Sequence, residues 1–206
     1  KIHSLTHLPT LRVPILMYHY VEYVTDEKDT TRISLNTLPH VLDTQIQTLK
    51  DAGFTFLTNR QLSEYLNGVG FLPDNPVVIT FDDGYRDFYT DAYPILKKHE
   101  VPATQYVVSG LLSDKNYMTP EQVSEIAKDG LVEIGAHTIT HPWLKDGEAG
   151  FVKHEVEKSK QDLEKLTGYE IVSFAYPYGS FDVQSIEAVK NAGYTSAVST
   201  IPGIMH

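Results

Sequence analysis

Cysteine is absent from the 206-residue chain. Without a thiol there is no disulfide framework, no Cys-ligated zinc and no cysteine nucleophile, although the compartment stays open. Basic residues are few: 17 Lys and Arg stand against 27 Asp and Glu, a formal net charge of −10. Nucleic-acid binding needs a basic face for phosphates, so nucleic acid is excluded as the main partner. No apolar run reaches the roughly 18–20 residues of a membrane helix. Residues 1–10 lack the apolar stretch of a signal peptide. No Gly-x-Gly-x-x-Gly follows a strand-like run and no Walker-type loop is present, which removes both nucleotide fingerprints. What remains is an ordinary globular composition, 41% hydrophobic and 21% charged, rich in His (9) and Tyr (13). The length suits one domain over residues 1–206. Because the chain does not begin with Met and stops just after a strand-like run, trimming at both ends is expected.

Short β-rich runs alternate with amphipathic segments. Strand-like runs fall at residues 13–18, 54–57, 77–81, 104–108, 131–136, 171–175 and 195–199. Between them, apolar residues recur at helical spacing, as in Leu38, Val41, Leu42, Ile46 and Leu49, with Gly53 as a stop. Asn59 is positioned to cap a short helix bearing Leu62 and Leu66. Thr119-Pro120-Glu121-Gln122 reads as a helix start, and Val152, Val156, Leu163 and Leu166 mark a long helix ended by Gly168. Repeated βα units imply a parallel sheet with helical crossovers. The predicted fold is α/β, a (β/α) barrel of about seven parallel strands, complete or partly open. In such a fold chemistry belongs at the C-terminal ends of the strands.

Polar residues gather at those ends. Asp82-Asp83-Gly84 follows the third strand, and is either a surface turn or a metal ligand beside a general base. Neighbouring strand side chains point to opposite faces. Both carboxylates reach one site only if the strand is bending, which Gly84 permits. His137 and His141 follow the fifth strand, four apart, and chelate one cation if the segment turns. Tyr176-Pro177-Tyr178-Gly179 follows the sixth and reads as core packing or as the wall of a sugar-sized groove. His19 follows the first, as a structural residue or a second-tier site residue. Their convergence is the argument. One carboxylate and two neutral imidazoles leave open positions for water and substrate. Nitrogen and oxygen ligands suit Zn²⁺, Co²⁺, Ni²⁺ or Fe²⁺ more than Mg²⁺. A second, non-ligating carboxylate can take a proton from the attacking water.

At these residues the chain resembles the NodB-homology polysaccharide deacetylases, carbohydrate esterase family 4. The family's first motif stands as Thr80-Phe81-Asp82-Asp83-Gly84, its second as His137 to His141 and its third as Ala175-Tyr176-Pro177-Tyr178-Gly179. The resemblance spans about residues 13–199, with the motifs in family order. It implies a distorted (β/α) barrel, with Asp83, His137 and His141 as ligands of one divalent metal ion, zinc foremost. It implies Asp82 as general base, the Tyr178 backbone N–H as oxyanion donor, and Tyr176, Pro177, Tyr178 and His19 as substrate-binding residues. Pro14 to His19 and the form of the third motif look most like the branch acting on poly-β-1,6-N-acetylglucosamine. Peptidoglycan, chitin-like oligomers and acetylated xylan are the other substrates of this machinery. The implied partner is an N-acetylglucosamine-containing polysaccharide outside the cell, met by an exported monomer. Ala175 stands where many family members have Arg, and the family's last motif, with its general-acid His, has no match; Ile204-Met205-His206 resembles it superficially. Two rivals are a glycoside hydrolase, which needs two carboxylates flanking the glycosidic bond, and a non-catalytic glycan-binding relative.

Overall fold

The continuous apolar run at residues 77–81 forms a strand buried on both faces, the pattern of a parallel sheet covered by helices. In the computed structural model, which describes residues 12–203, it belongs to one wholly parallel seven-stranded sheet. The strands are β1 (Ile15–Tyr18), β2 (Thr55–Leu57), β3 (Pro76–Phe81), β4 (Ala103–Val107), β5 (Val132–Ala136), β6 (Ser173–Ala175) and β7 (Ser196–Val198). Helices α1 (Thr30–Leu35) and α2 (Pro39–Asp51) follow β1, and α3 (Asn59–Leu66) follows β2. After β3 a π-helical turn, Phe88–Ala92, runs into α4 (Tyr93–His99). Helices α5 (Pro120–Asp129), α6 (Ala149–Thr167) and α7 (Val183–Asn191) follow β4, β5 and β6. The expectations for residues 1–10 and for Ile204-Met205-His206 concern segments outside the described residues. No helix among the described residues is long and apolar enough to cross a membrane.

The strand order is β1-β3-β4-β5-β6-β7, with β2 also on β3. Val78 faces both Ile15 and Leu57, so β1 and β2 lie on opposite edges of β3. Thr80 and Phe81 then pair with β4, which therefore continues along the edge that β2 begins. Among the described residues β1 and β7 do not pair, so the sheet is a half-barrel open at that seam. A cavity of about 880 Å³ occupies the seam, walled by β1, β7 and α3 and reaching Asp82 and Ala175.

Local signals place the helices. Capping boxes open α3 (Thr58 with Gln61), α5 (Thr119 with Gln122) and α7 (Asp182 with Ser185). The cap of α3 is thus Thr58, one residue before the Asn59 expected from the sequence. Asn59 is buried inside the first turn, its N–H donating to Thr104 Oγ1 and its amide to Ser196 Oγ. Buried Glu133 on β5 accepts from Arg60 N, Thr104 Oγ1 and Ser173 Oγ, tying α3 to three strands away from the site. Helix α6 lays Val152, Val156 and Leu163 into the core, each such side chain contributing about 1.5–3 kcal/mol.

Candidate active site

Just past β3, the Asp82 N–H donates to Tyr18 O at 2.9 Å. The chain then enters the left-handed region at Asp83 (φ +74°) and Gly84 (φ +83°). This turn lets two successive carboxylates share one end of the sheet. It begins on Asp83 itself, one residue before the position where the sequence places the bend. Aspartate tolerates left-handed backbone better than most residues.

His137 directly follows β5, buried, and its Nδ1 lies 2.8 Å from Ala175 O. A proton on Nδ1 donated to that carbonyl leaves the Nε2 lone pair for the site. The chain then turns through Thr138 (φ +67°) and His141 (φ +59°). That turn brings His141 Nε2 to 3.2 Å from His137 Nε2. Asp83 Oδ1 is 3.1 Å from His141 Nε2 and 3.4 Å from His137 Nε2. Glu155, buried on α6, fastens the loop between the histidines. Its carboxylate accepts from Ile139 N (2.8 Å), Thr140 N (2.9 Å) and Thr140 Oγ1 (2.8 Å).

Burial raises the Asp82 carboxyl and neighbouring Asp83 adds to this, while His137, His19 and His141 oppose it. The result is a carboxylate more basic than usual. Burial alone would raise Asp83 as well, but the adjacent His137 and His141 outweigh it and hold Asp83 well below the usual carboxylate range. Burial alone would lower His137, yet Asp83, Asp82 and the Ala175 carbonyl raise it. Because metal ligation needs a neutral imidazole, a cation and a proton would compete for His137.

Asp83, His137 and His141 each offer one ligand atom, all within 4.8 Å of one another. Their separations suit a cation bonding nitrogen and oxygen at about 2.0–2.2 Å. Asp82 Oδ1 and Asp83 Oδ1 are buried without a well-formed hydrogen bond from the described residues. Such orphaned acceptors call for a ligand that the protein does not itself supply. The residues therefore fit one divalent metal ion and a water beside it.

The other sequence candidates are spread around this centre. His19 lies within electrostatic reach of Asp82. Tyr176 and Pro177 are buried, the Tyr176 ring packing on Phe174 and Phe181 at 5.2 Å each. Tyr178 is the exposed member of the pair, held at φ +58° with its ring edge-to-face on His141 at 4.5 Å. Five neighbours escaped sequence reading. On the Asp83 side Tyr20 stacks on Tyr85 at 3.9 Å, and the Tyr117 ring meets Tyr85 at a tilt at 5.0 Å. Burial raises all three phenols, and the Asp83 charge adds to it. Exposed Trp143 stacks on Tyr178 at 5.8 Å. Glu155 had a legible signal, a carboxylate within the apolar stripe Val152, Val156, Leu163 of α6.

Residues 71–197 match the profile of the family described as Polysaccharide deacetylase. The Bacillus subtilis protein YxkH is 31% identical over 192 residues, covering 93% of this chain and 66% of that protein. A Staphylococcus aureus poly-β-1,6-N-acetyl-D-glucosamine N-deacetylase is 31% identical over 164 residues, covering 73% of this chain and 56% of that one. The chain thus spans between just over half and two-thirds of the length of these curated relatives. The Streptococcus pyogenes deacetylase PplD, solved in complex with acetate, superposes with a TM-score of 0.87 at 31% identity, covering 95% of this chain and 86% of that one.

Proposed function

The chain belongs to the polysaccharide deacetylase family, and from that membership we propose that it is a metal-dependent hydrolase removing N-acetyl groups from N-acetylglucosamine units of an extracellular polysaccharide. The observation that carries the reading is the buried, raised-pKa Asp82 beside the convergent Asp83, His137 and His141. Those three residues would hold one divalent ion, zinc foremost among those suited to one oxygen and two nitrogen donors. When bound, the ion lowers the pKa of a water toward neutrality and polarises the acetyl carbonyl.

Asp82 takes the proton of the attacking water, a general-base contribution on the order of 10²–10⁴-fold. The water oxygen bonds to the acetyl carbon, and the carbonyl oxygen gains negative charge. The Tyr178 backbone N–H donates to that oxygen, a contribution of roughly 3–4 kcal/mol for such donors in other enzymes. The C–N bond breaks, the abstracted proton passes to the departing nitrogen, and acetate and a free amino sugar result. No Arg is available at Ala175 to orient Asp82; its surroundings are the strand end, the histidines and the seam cavity.

Poly-β-1,6-N-acetylglucosamine is the proposed polymer, supported by the name of the Staphylococcus aureus relative. A polymer outside the membrane places the enzyme outside as well. The test is acetate release from β-1,6- and β-1,4-linked N-acetylglucosamine oligomers, with and without a chelator. Acetate is expected from the β-1,6 series, and its loss on chelation and in Asp82→Asn. Release from β-1,4 oligomers alone would move the substrate to chitin-like or peptidoglycan chains. Shortened oligomers without acetate would indicate a glycoside hydrolase, and binding without turnover a glycan-binding relative.

A further inference from the structure

Trp143 is the only tryptophan in the chain, and 58% of its surface is exposed. Its loop is nonetheless fixed on both sides. Before it, Glu155 clamps Ile139 and Thr140. After it, Leu144 is fully buried and its carbonyl accepts from Gly147 N–H at 3.2 Å. The ring stacks on Tyr178, also 58% exposed, with the planes 30° apart. Tyr178 in turn meets His141, so three rings run outward from the candidate metal centre in steps of 4.5 and 5.8 Å. A rigidly mounted pair of large exposed aromatics has no core to explain it, and such surfaces mark binding sites. Flat apolar faces with polar edges complement the C–H faces of pyranose rings, whose hydroxyls point outward.

We propose that Trp143 and Tyr178 form a stacking subsite for a pyranose ring next to the one being deacetylated, so that the site selects a polymer over a monosaccharide. The subsite rests on the deacetylase reading for its substrate class, but it makes a separate physical claim. Because the tryptophan is unique, its fluorescence reports directly on occupancy of the platform.

The experiment titrates the wild-type protein with a β-1,6-linked N-acetylglucosamine pentamer and with the monosaccharide, following tryptophan emission, and measures acetate release in parallel. The pentamer shifts the emission and the monosaccharide does not. Trp143→Ala raises KM for the pentamer by roughly three- to ten-fold, with the effect on KM rather than kcat, and Trp143→Phe recovers most of it. Acetate release with unchanged emission and an unchanged KM in Trp143→Ala overturns the platform and leaves the deacetylase standing. An emission shift without acetate release supports the platform and overturns the deacetylase. Neither signal overturns both.

Discussion

Glu155 holds the loop between the candidate ligands His137 and His141 through three hydrogen bonds, and its removal is the most direct test of how the site is built. It is 2% exposed and receives two backbone N–H groups and the Thr140 hydroxyl. Hydrogen bonds to a charged group contribute about 1.5–3 kcal/mol each. Three would sum well above what is expected here, because exposed Thr140 can turn its groups to water. Glu155→Ala should therefore cost about 3–4 kcal/mol of stability, mostly through the orphaned Ile139 N–H and the space left under the loop. Glu155→Gln keeps the oxygen facing both backbone donors and can turn its amide to the Thr140 oxygen, so its cost should be about 1–2 kcal/mol. The loop carries left-handed Thr138 and His141, conformations that persist only where the surroundings over-determine them. Loosening it should weaken metal binding by about ten-fold in Glu155→Ala, the low end for residues that support ligands indirectly. Denaturant unfolding gives the stability, and competition with a chromophoric chelator gives the affinity. Lost stability with wild-type metal affinity would refute the claim that this carboxylate positions the histidines.

The same geometry yields further expectations. Gly179 sits at φ +65°, and a Cβ there would lie 2.0 Å from Thr200 Oγ1 and 2.7 Å from Thr200 N. Gly179→Ala should cost about 2 kcal/mol in unfolding free energy and lower kcat by displacing the Tyr178 amide next to it. Asp87 receives the Val21 N–H, and burial pushes its carboxyl up to about 6 from 3.8. Between those pH values the folded state binds more protons than the unfolded, so stability falls as pH rises through the window. Asp87→Asn should remove that slope and gain up to about 3 kcal/mol on wild type above pH 6, read from urea midpoints across pH. Because His137 is raised by its carboxylate neighbours, metal uptake should release protons and weaken as pH falls. Calorimetry in buffers of different ionisation enthalpy would show it, and an apparent enthalpy independent of buffer would contradict it.

Much of this was legible because each signal was local. The strand at residues 77–81 announced itself by an unbroken apolar run, and α5 by Thr119-Pro120-Glu121-Gln122, which forms the expected capping box. The acid pair and the histidine pair were legible because both follow strands of a parallel sheet, where one end collects the loops. The cap of α3 moved to Thr58 because Asn59 finds better partners in Thr104 and Ser196, 45 and 137 residues away, which no local rule anticipates. Glu155 and Trp143 needed tertiary contacts to acquire meaning, although a carboxylate in the stripe of α6 was a visible anomaly.

The bend at Asp83 carries the wider point. A glycine beside the acid pair suggested where the chain could turn, yet Asp83, Thr138, His141 and Tyr178 are themselves left-handed. Non-glycine residues in that region cost of order 1–3 kcal/mol each. Thr138, being β-branched, is the most strained of them, and its hydroxyl accepts the His141 N–H at 3.0 Å. A glycine at any of these positions would relieve the strain but remove the Asp83 carboxylate, the His141 imidazole, the Tyr178 ring or the Thr138 hydroxyl that holds the His141 N–H. The site therefore accepts strain where chemistry forbids glycine. It distributes the restraint over Glu155, the Ala175 carbonyl and Thr200, whose hydroxyl reaches the Tyr178 carbonyl at 3.5 Å. On this account, substituting Glu155 should loosen the candidate ligand set, and substituting Thr200 should loosen Tyr178, before either unfolds the barrel.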